Sequence, residues 1–116
     1  MVKQLDVYKK SYEVSLLIHR LSLTFPKLEQ YELAGQLRRA SKSIPMNIAE
    51  GYAKKSSKAE FRRFLLMASG STEEVKVQLE YSKDLGYITE VEYELYLDRY
   101  NEVGRMLYGL SNRQLN

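Results

Sequence analysis

Apolar positions recur along this chain at three- and four-residue steps, the spacing of one face of an α-helix, and they do so in four successive stretches. The first runs from about Leu5 to Leu23 and carries two apolar lines. Tyr8, Tyr12, Leu16, His19 and Leu23 form one; Val7, Val14, Leu17, Ile18 and Leu21 form the other. One line is enough to seat a helix on a single core, so the second predicts that this helix is covered by more than its own bundle. Pro26 ends the stretch, because it cannot continue the hydrogen-bond ladder and pushes Phe25 out of the α region.

A second helix is predicted from near Glu29 to between Gly51 and Lys55, with Leu33, Leu37, Ala40, Ile44 and Ile48 facing the core. Pro45 falls inside it and predicts a kink that frees the Ser41 carbonyl, with Ser43 and Asn47 placed to serve the liberated groups. Ser57-Lys58-Ala59-Glu60 has the form of a capping box that opens a third helix, ending near Leu85. Its main line is Phe61, Phe64, Leu65, Ala68, Thr72, Val75, Leu79 and Ser82; a weaker one joins Met67, Gly70, Val77 and Tyr81. Small side chains over Ser69–Thr72 predict close approach of a neighbouring helix, and Gly86 suits the left-handed residue that stops this one. Thr89-Glu90-Val91-Glu92 is a second capping box, Ile88 and Tyr93 form its hydrophobic staple, and Tyr96, Tyr100, Val103, Leu107 and Leu110 carry a fourth helix. Short connections between long helices favour antiparallel neighbours. The expectation is an all-α, up-down-up-down four-helix bundle, one domain over residues 1–116, with helix 2 kinked at Pro45.

Composition agrees with that plan and narrows the chemistry. The chain has 116 residues, 44% of them hydrophobic, enough for one core, and its six Gly and two Pro argue against an all-β plan. It has no cysteine, which excludes disulfides, thiolate metal sites and a cysteine nucleophile. No apolar run approaches the roughly 20 residues that span a bilayer, and residues 1–10 lack the apolar core of a signal peptide. A soluble, cytoplasmic protein is expected, with no membrane partner.

Catalytic machinery is hard to assemble from these residues. His19 is the single histidine, and no Glu stands three residues before it as the Glu-x-x-His spacing of di-iron bundles requires. Its place beside Tyr12 and Leu16 fits a core or interface histidine. Ser41, Ser43, Ser69 and Ser71 fall in helix interiors without a neighbouring base, and no phosphate-binding glycine loop occurs. Glu73 and Glu74 are adjacent, so on a helix they diverge by about 100° and share no site. The expectation is a non-enzyme with no catalytic residue, metal or cofactor.

Charge is unevenly distributed. Arg38, Arg39, Lys42, Lys54, Lys55, Lys58, Arg62 and Arg63 fall within residues 38–63, opposed by Glu50 and Glu60. Residues 90–102 reverse the balance, with Glu90, Glu92, Glu94, Asp98 and Glu102 against Arg99. Two solvated helix faces would produce this pattern, and so would a polyanion site. Guanidinium groups hold phosphate through paired hydrogen bonds. Tyr52 and Phe61 lie close enough in sequence either to offer a stacking surface or to pack in the core. The candidate nucleic-acid-binding residues are Arg38, Arg39, Lys42, Lys54, Lys55, Arg62 and Arg63.

Phe25-Pro26-Lys27-Leu28-Glu29, Gln36-Leu37-Arg38-Arg39-Ala40 and, most specifically, Ser43-Ile44-Pro45-Met46-Asn47-Ile48-Ala49-Glu50-Gly51-Tyr52 carry a resemblance over nearly the whole chain. Ala68-Ser69-Gly70-Ser71-Thr72-Glu73-Glu74 and Leu85-Gly86-Tyr87-Ile88 continue it. The sequence resembles the bacterial four-helix bundle proteins encoded in intervening sequences of large-subunit rRNA genes. A related group is the accessory variability determinant, partner of the reverse transcriptase in diversity-generating retroelements. The resemblance implies a homopentameric ring with a basic surface suited to nucleic acid, RNA above all, and it transfers no catalytic residue. It leaves open whether a reverse transcriptase is a partner or the assembly is purely structural. It also implies structural roles for Pro45 at a bend, Gly51 at a helix end and Gly70 at a close helix contact.

Overall fold

Four helices form where the apolar pattern places them, in a computed structural model that describes residues 1–114. After a short 3-10 turn over Val2–Gln4, α1 spans Asp6–Ser22, α2 Leu33–Ala53, α3 Lys58–Asp84 and α4 Glu90–Arg113. At 1.5 Å per residue α3 is about 40 Å long, nearly the whole 45 Å of the molecule. Helices α2 and α4 join it by short turns and therefore lie beside it. Lys10 on α1 and Glu102 on α4, 2.7 Å apart, close the fourth side of the bundle.

Helix ends follow local chemistry, with two departures from expectation. Thr89 and Glu92 form the full capping box: the Glu92 N–H donates to the Thr89 hydroxyl at 3.1 Å and the Thr89 N–H to the Glu92 carboxylate at 2.8 Å. Gly86 stops α3 at φ +81°. The box at Ser57 is only half made. Ser57 accepts from the Glu60 N–H, but the Glu60 carboxylate turns to the Arg63 guanidinium at 2.8 Å, a charge-assisted bond that outcompetes a neutral amide. The second departure is the start of α2, at Leu33 instead of Glu29, with a separate 3-10 turn over Lys27–Glu29. Side chains hold this loop out of the helix. The Gln30 amide donates to the carbonyls of Ser22 and Phe25, both at 3.0 Å, and Arg38 takes the Gln30 carbonyl at 2.7 Å.

Helix α2 runs unbroken through Pro45, which is buried. Pro45 has no N–H to offer the Ser41 carbonyl. The flanking residues serve its neighbours: Asn47 donates to the Ser43 carbonyl and the Ser43 hydroxyl to that of Ala40, each at 2.8 Å.

The core draws Ile18 from α1, Leu37, Ile44 and Ile48 from α2, Leu65 and Leu79 from α3, and Tyr100 and Leu107 from α4, all fully buried. On α1 the buried face is the Val7, Val14 and Ile18 line, interleaved with Ser11, Ser15 and Ser22. Each serine hydroxyl donates to the carbonyl three residues back, so it is buried without an unmet polar group. Tyr12, Leu16 and Leu23 face outward. Val7 and Val14 are therefore core residues, and the surplus apolar line of this helix is the other one.

The close helix contact falls at Gly51 and not at Gly70. A Cβ on Gly51 would lie 2.8 Å from the Phe64 Cβ and 3.2 Å from the Phe61 ring, whereas one on Gly70 would meet nothing within 4 Å. Gly51, just before α2 ends at Ala53, is the close contact between α2 and α3; Gly70 faces open space. Gly51→Ala is expected to cost about 1–3 kcal/mol by overpacking, and Gly70→Ala to add about 0.5–1 kcal/mol by removing backbone freedom. Urea denaturation at one fixed protein concentration checks both; equal stabilities of the two variants would contradict this packing.

Candidate nucleic-acid interface

The turn between α2 and α3 assembles the densest group of cations. Lys54 and Lys55 leave the C-terminal end of α2, where positive charge complements the helix dipole, and Arg62 and Arg63 follow in the first turns of α3. Beneath them lie three aromatic rings. The Lys54 ammonium sits 4.7 Å and the Arg63 guanidinium 4.5 Å from the centre of the Phe64 ring. The Lys55 ammonium sits 3.9 Å from the centre of the Tyr52 ring, which meets Phe61 edge-on at 6.3 Å. Such contacts are worth about 0.5–1 kcal/mol each at exposed sites, enough to bias where a flexible lysine points. Lys55 first, and then the N-terminal ammonium, draw the Tyr52 phenol down to about 8. Of the two rings weighed as a stacking surface, Phe61 is core, 6% exposed, and Tyr52 is half-buried under Lys55.

The seven cations singled out in the sequence separate into three groups. Lys54, Lys55 and Arg63 gather around the aromatic floor; Arg62, on the same turn of α3, is half-buried with its Nε enclosed. Arg39 and Lys42 lie on the outer face of α2 and, with Ser43, Met46, Asn47 and Glu50, line an open groove of about 420 Å3. Arg39 is about 22 Å from Lys54 along the helix axis. Arg38 belongs to neither surface. It donates to the Ser22 hydroxyl at 2.9 Å, to the Gln30 side chain at 3.1 Å and to the Gln30 carbonyl at 2.7 Å, which locks the α1–α2 loop. Its neighbour Arg39, one position on, points to solvent.

His19 takes part in a way its sequence position hides. Lys42 Nζ lies 2.9 Å from its Nδ1. A lysine ammonium can only donate, so the imidazole is neutral and carries its proton on Nε2. Burial first, then Lys42, Arg38 and Arg20, hold its pKa below the ordinary value. Among the described residues no helix is long and apolar enough to cross a membrane.

Comparison with known proteins adds a family. The family model described as 23S rRNA-intervening sequence protein matches residues 3–109. Among solved structures, the chain is similar to a protein of unknown function from the S23 ribosomal protein family of Bacteroides thetaiotaomicron. The two share 26% identity and superpose with a TM-score of 0.83, over 91% of this chain and 95% of that one. No curated protein matches the chain.

The Lys42–His19 contact has a pH signature. Folding lowers the imidazole pKa, so the folded state binds this proton less readily than the unfolded chain does. The stability tied to neutral His19 is complete above the unfolded value near 6.5 and is lost as pH falls through the folded one. An NMR titration of the single histidine ring should give a midpoint below 6.5. Lys42→Met should raise that midpoint without restoring it fully, because burial, the larger cause, remains. A wild-type midpoint at or above 6.5, or one unmoved by the variant, would refute the contact.

Proposed function

We propose that this chain, which belongs to the 23S rRNA-intervening sequence protein family, is a non-catalytic, oligomeric nucleic-acid-binding protein that grips the phosphate backbone of structured RNA. The observation that carries this reading is the α2–α3 turn. There Lys54, Lys55 and Arg63 are set over the Tyr52 and Phe64 rings at a short connection between two long helices. Arg39 and Lys42 extend the positive surface along α2. The rings are covered, so bases have little to stack on, and contact falls on phosphates. Phosphate contacts fix position and register without reading sequence, and double-stranded RNA is recognised mostly by shape.

RNA binding across a salt series tests this. Removing one cation that neutralises a phosphate should lower the slope of log affinity against log salt by nearly one unit. Lys54→Glu with Lys55→Glu, and separately Arg39→Glu, should lower both affinity and slope. Arg38→Glu should instead lower the melting temperature, because it opens the loop that this side chain locks. A wild-type protein with no salt-dependent binding to RNA would end the nucleic-acid reading.

Self-association rests on a different observation. Tyr12 and Leu16 on α1 and Met46 on α2 are exposed, and a groove of about 320 Å3 opens beside them. On α3, Met67, Val77 and Tyr81 form a second exposed line around the bare backbone of Gly70. Two unlike apolar faces fit a head-to-tail contact, which a ring repeats until it closes. Light scattering coupled to size exclusion should report about five protomers, the number implied by the resemblance, in such a closed ring. Val77→Lys with Tyr81→Glu should break it into smaller species; a wild-type monomer at micromolar concentration would contradict it.

A further inference from the structure

The end of the bundle opposite the basic turn is built from the α1–α2 and α3–α4 loops, and these are fastened to each other. The Phe25 and Tyr87 rings lie 5.3 Å apart, and the Tyr87 hydroxyl donates to the Glu29 carboxylate at 2.7 Å. Gln30 and Arg38 brace the first loop from behind. On this fixed platform large apolar side chains stand in water: Leu28 is 83% exposed and Tyr31 91%, with Leu23, Leu85 and Val91 each more than half exposed. None is among the apolar residues assigned above to the ring contact.

Carboxylates stand among them. Residues 23–32 and 83–92 carry Glu29, Glu32, Asp84, Glu90 and Glu92 against Lys27 and Lys83, and Lys83 already faces Asp84 at 3.5 Å and Glu90 at 3.9 Å. The opposite end, residues 53–63, carries five cations against Glu60 alone. The bundle is thus a rod with a basic end and an acidic, apolar end.

We propose that the acidic, apolar end is a docking surface for a cationic amphipathic helix of a partner protein. Leucine-like side chains on one face of such a helix would cover Leu28 and Tyr31, and lysines or arginines flanking that face would meet Glu32, Asp84 and Glu90. The carboxylates repel RNA and anionic lipid, which removes both as occupants. The basic end of a second copy has the right charge, but its rings Phe61 and Phe64 are covered and offer little to pack on Leu28 and Tyr31. End-to-end stacking would also propagate as an open filament instead of closing. An added strand has no edge to join, since the described residues form helices and turns alone. A helix sets an apolar face beside cationic flanks, which matches the apolar and carboxylate side chains side by side at this end. The proposal does not depend on the RNA reading, which concerns the other end.

A synthetic leucine–lysine amphipathic helical peptide is the probe, with its leucine–glutamate counterpart as control. The whole protein carries a net charge of +3, so cationic peptide binding has to come from a local surface. Calorimetry should show binding of the lysine peptide, with amide NMR shifts within residues 23–32 and 83–92, where the glutamate peptide should produce none. Leu28→Ser with Glu32→Lys should weaken binding at least about tenfold, a factor worth 1.4 kcal/mol, and Tyr31→Ser should weaken it less. Both variants change exposed side chains, and circular dichroism confirms that they fold. Lys54→Glu with Lys55→Glu should leave peptide affinity no weaker. Absence of lysine-peptide binding, equal shifts of residues 23–32 and 83–92 with both peptides, or lysine-peptide shifts centred elsewhere overturns the proposal. So does concentration-dependent growth of the peptide-free protein that Leu28→Ser with Glu32→Lys abolishes, since the occupant is then a second copy.

Discussion

Helix α2 rests on α3 through bare backbone. At Gly51 a Cβ would come within 2.8 Å of the Phe64 Cβ, closer than two carbon atoms can sit. Because the contact lies just before α2 ends, it holds the last turn of α2 against the first turns of α3 and leaves only residues 54–57 to reverse the chain. Much else follows from that tight reversal. Lys54 and Arg63, from different helices, come to lie over the one Phe64 ring, and Lys55 folds back over Tyr52. A wider spacing at this point would separate the cations and open the rings to water. Packing and surface charge are set by the same few atoms.

Features that depend on neighbours along one helix were legible in the sequence. The four apolar periods, the Thr89 capping box and the Gly86 stop all concern residues within four or five positions of one another, where spacing alone decides which side chains meet. What was not legible depends on partners far along the chain. The late start of α2 needs Gln30 to reach back to Ser22, and the role of Arg38 needs a hydroxyl sixteen positions away. Glu60 is the local exception: Arg63, three positions on, draws its carboxylate away from Ser57 because a charge-assisted bond is the stronger of two near alternatives. The close contact lies at Gly51 and not at Gly70 for a related reason: a glycine in a helix announces a missing side chain, and only the facing helix shows which one is required. Of the candidate site, the run at the α2–α3 turn was legible because those residues are local to one turn. Arg38 and Arg39 looked alike, yet one is structural and one faces solvent.

The two faces of α1 show how a hydrophobicity pattern can point the wrong way without being wrong. Ser11, Ser15 and Ser22 are small, and each returns its hydroxyl to its own helix, so burying them leaves no polar group unmet. Their size also lets α1 lie close to its neighbours. The wider Tyr12, Leu16 and Leu23 line fits that seam less well and is left outside. A bundle that fills its core with small residues displaces bulk to its surface. On this chain the displaced bulk comes as coherent lines on α1 and α3, which is the form an association surface takes.

The separation of the two charged ends has a further consequence. The molecule is 45 Å long, whereas exposed charges in physiological salt are largely screened beyond about 8 Å. The carboxylates at one end would therefore do little to weaken a phosphate held at the other, although both ends belong to a bundle whose net charge is only +3. Rotational symmetry would sharpen the separation. Copies related by a single rotation axis place equivalent groups at one height and one radius, so a closed ring would present its basic turns together and its acidic, apolar ends together. Weak phosphate contacts repeated on one rim act on one ligand with the effective concentration of a tethered system. In such a ring a small bundle would gain reach through the arrangement of copies and not through any one strong contact.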